Sequence, residues 1–468
     1  MNWNIAADAF FWCVLIYVLA HAAAYLALNW LAWRAMRQQR AWLLAEGRAP
    51  VPSGAEPPIS LIVPAFNEER IIVSTVRSAM QLAYPEFEIL VVNDGSRDGT
   101  LRALVETFGL SPFPEAFRAQ LRTEPVRGVW WSPRHPALRV IDKDNGGKAD
   151  AINAGINIAR HPLVCVVDAD SILMRDSLQR VVQPFLHHPH TVACGGTVRI
   201  ANGCTVESGF LTGVGLPRKL LPLFQVVEYL RAFLFGRLGW SPLNALLIIS
   251  GAFGVMRKSV VVECGGYLRD TVGEDMELVV RMHRLLKAQG RHYRISFVPD
   301  PIVWTDAPED LRTLKNQRSR WQRGLSESLW KNRGLLFARR GGAAGWLAFP
   351  FFVLFEWLSP VVELAGYVVT VLLAVFGQVN WVTAAWFLAA CLSFGLLLST
   401  VALLLDELAY RLYPHPGQLA RLLGAVVLEN FGYRQLNAWF RLVGMVKWLT
   451  GRRAAWGAMR RSGTWQSS

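Results

Sequence analysis

From Leu364 to Leu405 the chain carries no Asp, Glu, Lys or Arg. A helix needs about 20 apolar residues to cross a bilayer, so this run is long enough for two crossings. Gly377-Gln378-Val379-Asn380 divides it like a turn, which places spans near 353–376 and 381–405 as a hairpin. A third apolar run, Phe10 to Trp33, has Arg34, Arg37 and Arg40 on its C-terminal side and no basic stretch before it. That order predicts an uncleaved anchor with its N-terminus outside and the following chain in the cytoplasm.

Composition agrees with a membrane protein. Of 468 residues 52% are hydrophobic and 19 are Trp, and Lys plus Arg outnumber Asp plus Glu by 49 to 35. Such a chain is neither disordered nor an acidic solvating tail. Its positive charge clusters beside the expected membrane edges, including Arg312 to Arg340. Membrane lipids with anionic headgroups suit that placement better than nucleic acid, for which no recognised module appears. Six cysteines form no C-x-x-C pair, so neither a disulfide framework nor a zinc site is expected. His187-His188-Pro189-His190 reads as a polar loop. Glu356 and Glu363 are seven residues apart and share a helical face, which should meet protein or a wet cavity.

Between the membrane segments the pattern changes. The expected organisation is an anchor with basic flank over 1–48, a Pro-rich linker over 49–58, a cytoplasmic domain over 59–340 and a membrane domain over 341–468. Ile59 to Pro64, Phe87 to Val92, Ala137 to Lys143 and Leu163 to Val167 read as short apolar strands, with helical spacing between them. The alternation predicts an α/β domain around a parallel sheet covered on both faces. Ligands of such sheets sit past the carboxyl ends of strands; Asn67, Asp94 and Asp168 all fall there. Leu220 to Ile249 is apolar but holds Glu228, Arg231 and Arg237. It reads equally as an interfacial helix or a buried one. Gln418 to Trp448 reads as amphipathic and interfacial, with a further span as the alternative, and the tail with Arg452, Arg453, Arg460 and Arg461 reads as cytoplasmic.

Five motifs carry chemistry. Asp168-Ala169-Asp170 leaves a strand with two carboxylates at i and i+2, able to share one Mg²⁺ or Mn²⁺ with substrate phosphates. Asn93-Asp94-Gly95-Ser96 ends another strand, where Asp94 can accept from a base or a ribose, or can close a plain turn. Asp144-Asn145-Gly146-Gly147-Lys148 joins a strand to a helix start that suits an anion, or is a Gly-rich turn; its spacing is not that of a P-loop. Gly273-Glu274-Asp275 opens a helix and supplies either caps or a general base. Gln317, Arg320 and Trp321 share one helical face, suited to diphosphate and sugar, or form a basic helix with one buried Trp.

The ordered set resembles the membrane-bound processive members of glycosyltransferase family 2, which include cellulose, hyaluronan, chitin and poly-N-acetylglucosamine synthases. Val63-Pro64-Ala65-Phe66-Asn67-Glu68 resembles their opening nucleotide-binding segment. The resemblance implies a GT-A fold, a mostly parallel central sheet and an inverting transfer from a nucleotide-sugar donor, UDP-linked, to a growing polysaccharide. It implies Pro64, Asn67, Glu68, Asp94, Lys148 and Asp168 at the donor, and Asp170 with Asp168 at a metal. It implies Asp275 as the base beside Glu274, and Gln317, Arg320 and Trp321 at the acceptor and diphosphate. Ser250-Gly251-Ala252-Phe253 stands where the family has an acceptor-contacting loop. The family's T-E-D appears as Gly273-Glu274-Asp275. Trp448 to Arg452 is loosely similar to a gating segment, with Trp456-Gly457 competing for that role. The implied setting is the inner (cytoplasmic) membrane, with an accessory export subunit as a further partner. The alternatives are a transferase adding one sugar to a lipid, giving a glycolipid acceptor, and a non-catalytic nucleotide-binding receptor or scaffold.

Overall fold

The computed structural model describes residues 3–46, 54–207, 209–377, 379 and 381–451. Most of the Pro-rich linker, Gln378 and Asn380 of the expected turn, Arg452 of the gating-like segment, Trp456-Gly457 and the basic tail lie outside the described residues.

The strands are β1 (Ile59–Ala65), β2 (Phe87–Asp94), β3 (Ser111–Phe113), β4 (Val126–Trp131), β5 (Leu138–Lys143), β6 (Leu163–Val167), β7 (Ile172–Leu173), β8 (Thr191–Ile200), β9 (Thr205–Glu207), β10 (Phe210–Gly213), β11 (Phe253–Arg257) and β12 (Arg294–Thr305). Ten of them form one sheet in the order β3-β4-β5-β2-β1-β6-β11-β8-β12-β7, and β9 pairs with β10 as a separate hairpin. The block β5-β2-β1-β6 is parallel. Seven of the ten strands run in its direction, while β4, β7 and β11 run against it. The mostly parallel sheet expected from the strand–helix alternation is therefore present, with reversals the alternation did not announce.

Two apolar cores lie on the two faces of the sheet. Ile59, Leu61, Val63, Ile89, Val91, Cys165 and Val167 enter one, and Ile62, Leu90, Val92, Val164 and Val166 the other. Burial on both faces is why these strands read as unbroken apolar runs. Each buried Val, Leu or Ile contributes about 1.5–3 kcal/mol relative to exposure. The reversed strand β11 is wedged between β6 and β8, with Phe253 opposite Val167. That register puts the loop before β11 at the same sheet end as Asp168.

Among the described residues three helical segments are long and apolar enough to span a membrane: Trp12–Gln38, Ala344–Val375 and Leu392–Tyr410. The second begins at Ala344 rather than near 353. Two π-helical stretches, Ala344–Ala348 and Phe352–Trp357, form its first part, next to the α/β domain. Val368, Val371, Val375, Phe376, Trp381 and Trp386 are exposed on these helices, an apolar band that lipid would cover. Pro416–Leu428 and Tyr433–Leu449 follow as shorter helices.

Leu220–Tyr229 and the π-helix Leu230–Phe235 settle the open reading of that segment. Leu223, Val226, Val227, Leu230, Leu234 and Phe235 are buried, Glu228 pairs with Arg318, and Arg231 reaches the membrane domain. Arg231 meets Glu429 at 2.6 Å and also Ser399. Arg199 of β8 forms a buried ion pair with Asp406 near the end of the last spanning helix.

Candidate active site

The site begins at the ends of β1 and β2. Asn67 has φ +58, a left-handed conformation that Asn tolerates better than most residues. Its side-chain oxygen accepts from the Arg97 N–H at 2.8 Å and its own N–H donates to Ser96 Oγ at 3.0 Å. The Glu68 N–H donates to Thr100 Oγ1 at 2.9 Å. Asn67 and Glu68 thus fasten the exit of β1 to the loop after β2, while Pro64 lies buried in β1 opposite Val92.

Asp94 stands deeper than a ligand-facing residue would. It is 0% exposed, and its oxygens accept from Lys143 Nζ at 2.7 Å, Asn145 Nδ2 at 3.1 Å, Gly146 N at 3.0 Å and Gly147 N at 2.8 Å. Four donors fill the lone-pair directions of one carboxylate. In this geometry Asp94 shapes the Asp144–Lys148 loop from beneath instead of reaching into the cleft. Lys143 also contacts Asp150 at 2.6 Å, and Arg269 approaches Asp150 at 3.2 Å. Gly147 sits at φ +89, a region that L side chains rarely adopt. The helix Lys148–Ile158 starts there.

Lys148 is the hinge of the site. Its Nζ is 2.6 Å from Asp168 and 3.5 Å from Glu274. Burial works to lower its pKa, but Asp168, Glu274 and Asp275 outweigh that and hold it above the ordinary lysine value. Glu274 shifts up from the ordinary carboxylate value, through burial and the Asp275 charge, with Lys148 and Arg320 opposing. Asp275 is fixed by its neighbours: Oδ2 accepts from the Gly251 N–H at 2.8 Å and Oδ1 from the Met276 N–H at 2.8 Å. A side chain at position 251 would meet Asp275 Oδ2 at 3.2 Å and Lys148 Nζ at 3.3 Å. Lys148, Ser250, Gly251, Tyr267, Glu274 and Asp275 border one small pocket. Motifs separated by 127 residues of sequence, Lys148 and Asp275, therefore meet at one point.

The helix Leu311–Lys331 closes the other side. Asp310 caps it, accepting from the Thr313 N–H at 2.9 Å. Gln317 is buried, Trp321 is partly buried against Phe233 and Tyr229, and Arg320 lies near enough to act on the Glu274 charge. The start of the Glu274–Ala288 helix crosses this one at two glycines. A Cβ on Gly273 would fall 2.8 Å from Gly324 Cα.

Three contributors were not singled out from the sequence as site residues. Lys143 neutralises Asp94 and Asp150. Arg318 stacks on Trp321, 4.2 Å from the ring centroid. Arg237 is 4% exposed, lies 4.2 Å from the Phe233 ring centroid, and has no partner for Nη1. Burial lowers its pKa to about 10, with Asp275 opposing. The signal for Arg237 was present, since a charge inside an apolar run needs a reason.

Among the described residues no three His, Cys, Asp or Glu side chains group as a metal cage. Asp168 and Asp170, two residues apart just past β6 and both partly exposed, offer two hard carboxylates, with Asp168 drawn toward Lys148. Such a set fits Mg²⁺ or Mn²⁺ where diphosphate oxygens and water complete the shell.

Comparison with known proteins gives a consistent likeness. Residues 124–324 match the family model described as glycosyltransferase like family 2, and residues 60–119 match that of glycosyl transferase family 2. The chain is 29% identical over 276 residues to a poly-beta-1,6-N-acetyl-D-glucosamine synthase of Staphylococcus aureus, covering 58% of this chain and 56% of that one. It is 27% identical over 274 residues to the synthase of the same name from Staphylococcus epidermidis, with the same coverage. The match thus spans just over half the length of these curated relatives. Among solved structures, the mannosyltransferase PcManGT from Pyrobaculum calidifontis, in complex with GDP-Man and Mn²⁺, is 20% identical with a TM-score of 0.49 over 94% of this chain and 100% of that one.

Proposed function

Because the chain belongs to glycosyltransferase family 2 and is a membrane glycosyltransferase with the GT-A fold, we propose that it transfers a sugar, with inversion, from a UDP-sugar to a growing polysaccharide at the inner membrane. The observation that carries this reading is the convergence of Lys148, Asp168, Glu274 and Asp275 at the sheet end, with the Gly251 N–H locking the Asp275 carboxylate. Curated relatives named as polysaccharide synthases support a polymer product. The basic flank at Arg34, Arg37 and Arg40 supports a cytoplasmic catalytic domain.

In this mechanism the acceptor hydroxyl attacks the anomeric carbon from the face opposite the nucleotide. Asp275 Oδ takes the hydroxyl proton as the new carbon–oxygen bond forms. The bond from the anomeric carbon to the diphosphate oxygen breaks, and its electron pair leaves with the nucleoside diphosphate. Lys148 and Arg320 carry positive charge toward that leaving group, and preorganised charge of this kind is often the largest catalytic contribution. Asp168 and Asp170 would hold a Mg²⁺ or Mn²⁺ ion, which would supply further charge neutralisation. Asp94 acts on the donor through the loop it anchors. Gln317 and Trp321 present an amide and an indole face to the acceptor sugar, a pairing suited to hydroxyls and an apolar ring face.

The test is nucleotide release by purified protein in nanodiscs, using UDP-glucose and UDP-N-acetylglucosamine with either metal, beside Asp275→Asn. Metal-dependent release with one donor, lost in the variant, and a long product would support the reading. A single-sugar lipid product would move it to the glycolipid alternative. Nucleotide binding without release from any donor would favour the receptor alternative.

A further inference from the structure

We propose that the Glu228–Arg318 ion pair is a positioning device through which the Tyr433–Leu449 helix holds Gln317 and Trp321 in place for the acceptor. The proposal rests on the acceptor role given above to those two residues. Arg318 lies inside the Gln317–Trp321 motif and is 2% exposed. It touches both ends of the motif. Its Nη1 donates to Gln317 Oε1 at 2.9 Å, and its guanidinium covers the Trp321 ring. Its Nη2 donates to Glu228 Oε2 at 2.7 Å. The same carboxylate accepts from the Tyr433 hydroxyl and from Asn437 Nδ2, the latter at 3.2 Å. One carboxylate thus joins the buried Leu220–Tyr229 helix, the motif helix and the C-terminal helix.

Charge and packing both favour a role beyond holding the fold together. Burying an ion pair seldom improves on well-packed apolar residues, whereas removing one partner is costly. Here the pair is spent on fixing two neighbouring side chains of the site. Burial works to raise the Glu228 pKa, and Arg318 with the Tyr433 hydroxyl outweighs it, so the carboxylate stays charged and keeps its hold on Arg318. The C-terminal helix is itself seated closely. A Cβ on Gly444 would lie 2.4 Å from the Ser319 carbonyl oxygen, and Arg441 Nε donates to Gln322 Oε1 at 2.8 Å. Arg441 also contacts Glu356 in the second spanning segment at 3.5 Å. A displacement of the membrane segments therefore has a direct route to Gln317 and Trp321, and none of these bonds reaches the donor loop.

The experiment uses the full chain in nanodiscs, with UDP-N-acetylglucosamine as donor and a soluble N-acetylglucosamine oligomer as acceptor probe. Tyr433→Phe keeps the ring and removes only the hydroxyl donor. It should raise the acceptor KM about tenfold, the size of one lost hydrogen bond to a charged group, and leave the donor KM within about twofold. Glu228→Gln and Arg318→Met should do the same more strongly. Arg318→Lys should not restore the acceptor KM, because one ammonium cannot serve Gln317, Glu228 and the Trp321 face together. Hydrogen exchange on the same samples gives a readout that needs no turnover: amides 314–323 should exchange faster in Tyr433→Phe and amides 163–170 should not change. Equal rises in both KM values, or unchanged exchange at 314–323, would overturn the proposal. If the unaltered protein releases no nucleotide from this donor, the transfer reading on these substrates fails, and exchange alone decides whether the link exists.

Discussion

The two halves of the site are built by different means. The half proposed to hold the donor is a set of strand exits tied together by backbone: Asp94 accepts from Gly146 and Gly147, and Asn67 from Arg97. The half proposed to meet the acceptor is a helix held by side chains from remote parts of the chain. Glu228 reaches Arg318, and Tyr433 and Asn437 reach Glu228. A site held by its own loops keeps its shape when neighbouring domains shift. One held by side chains from a separate helix follows that helix. On the assignment proposed above, the donor pocket would be the fixed part of this enzyme and the acceptor platform the part that follows its neighbours.

The hardest break falls where the halves meet. Asp275→Asn keeps the size and one of the two accepted hydrogen bonds, since its amide nitrogen cannot accept from the Gly251 or Met276 N–H, and it cannot take a proton. Transfer should drop about 10²–10⁴-fold, while UDP binding by calorimetry stays near that of the unaltered protein. Loss of binding together with transfer would make Asp275 part of the donor half instead. Next in size is Lys143→Met, which leaves Asp94 and Asp150 buried without their shared cation. Breaking a buried pair costs about 3–5 kcal/mol. Melting in nanodiscs should show this loss, and UDP binding should fall with it. If UDP binds normally to a fully folded variant, the loop does not depend on Asp94.

The same contrast decides what could be read from the sequence. β1, β2, β5 and β6 were legible because both their faces are buried, so each reads as an apolar run ending in a polar motif. Asp168, Lys148 and Asp275 were legible as motifs because each stands at a strand or helix end. The place of Asp94 was not, since an Asp that faces a ligand and one that accepts from its own loop look alike in a strand-end turn. Nor could the reversed strand β11 be foreseen, although it is what brings Gly251 onto Asp275. Pairing partners 90 or 205 residues apart, as at Glu228, leave no local pattern. Only the presence of Glu228, Arg231 and Arg237 in an apolar stretch hinted that buried charges there would need partners.

Acid should separate the halves as well. His283, on the base-bearing helix, is 0% exposed. Because the Leu246 carbonyl can only accept, Nε2 donates to it at 2.9 Å and Nδ1 accepts from the Tyr293 hydroxyl at 2.6 Å. Burial lowers its pKa to about 4. The unfolded chain therefore takes up this proton first as pH falls. The stabilisation is present above about pH 6.5 and is lost toward pH 4, a change of about 3 kcal/mol. Hydrogen exchange should show segments 241–250 and 274–288 loosening over that range before 87–94. His283→Gln should flatten the response, and an unchanged pH dependence in that variant would assign the loss to other groups.

The smallest effect sharpens the comparison most, because it asks why this chain has Gly273 where the resemblance leads one to expect Thr. Gly273 has φ −117, which any residue adopts, so conformational freedom is not the reason. Space is. A Cβ there would sit 2.8 Å from Gly324 Cα and 3.0 Å from the Gly324 oxygen. Both atoms belong to backbone, which cannot turn aside as a side chain can. Around the crossing, Glu327 accepts from the Thr271 hydroxyl at 2.9 Å and the Val272 N–H at 2.8 Å, clamping the two segments together. Gly273→Thr should push the base-bearing helix off the motif helix and cost about 1–3 kcal/mol, as overpacking does. Since Asp275 lies two residues on, transfer should fall in step with stability while the donor KM stays within about twofold. A matching Gly324→Thr should repeat the effect from the other side, and the double variant should cost less than the sum, because both insertions open the same crossing. Additive losses would mean that the two glycines act separately, and the acceptor half would then owe its position to the Glu228 contacts rather than to this crossing.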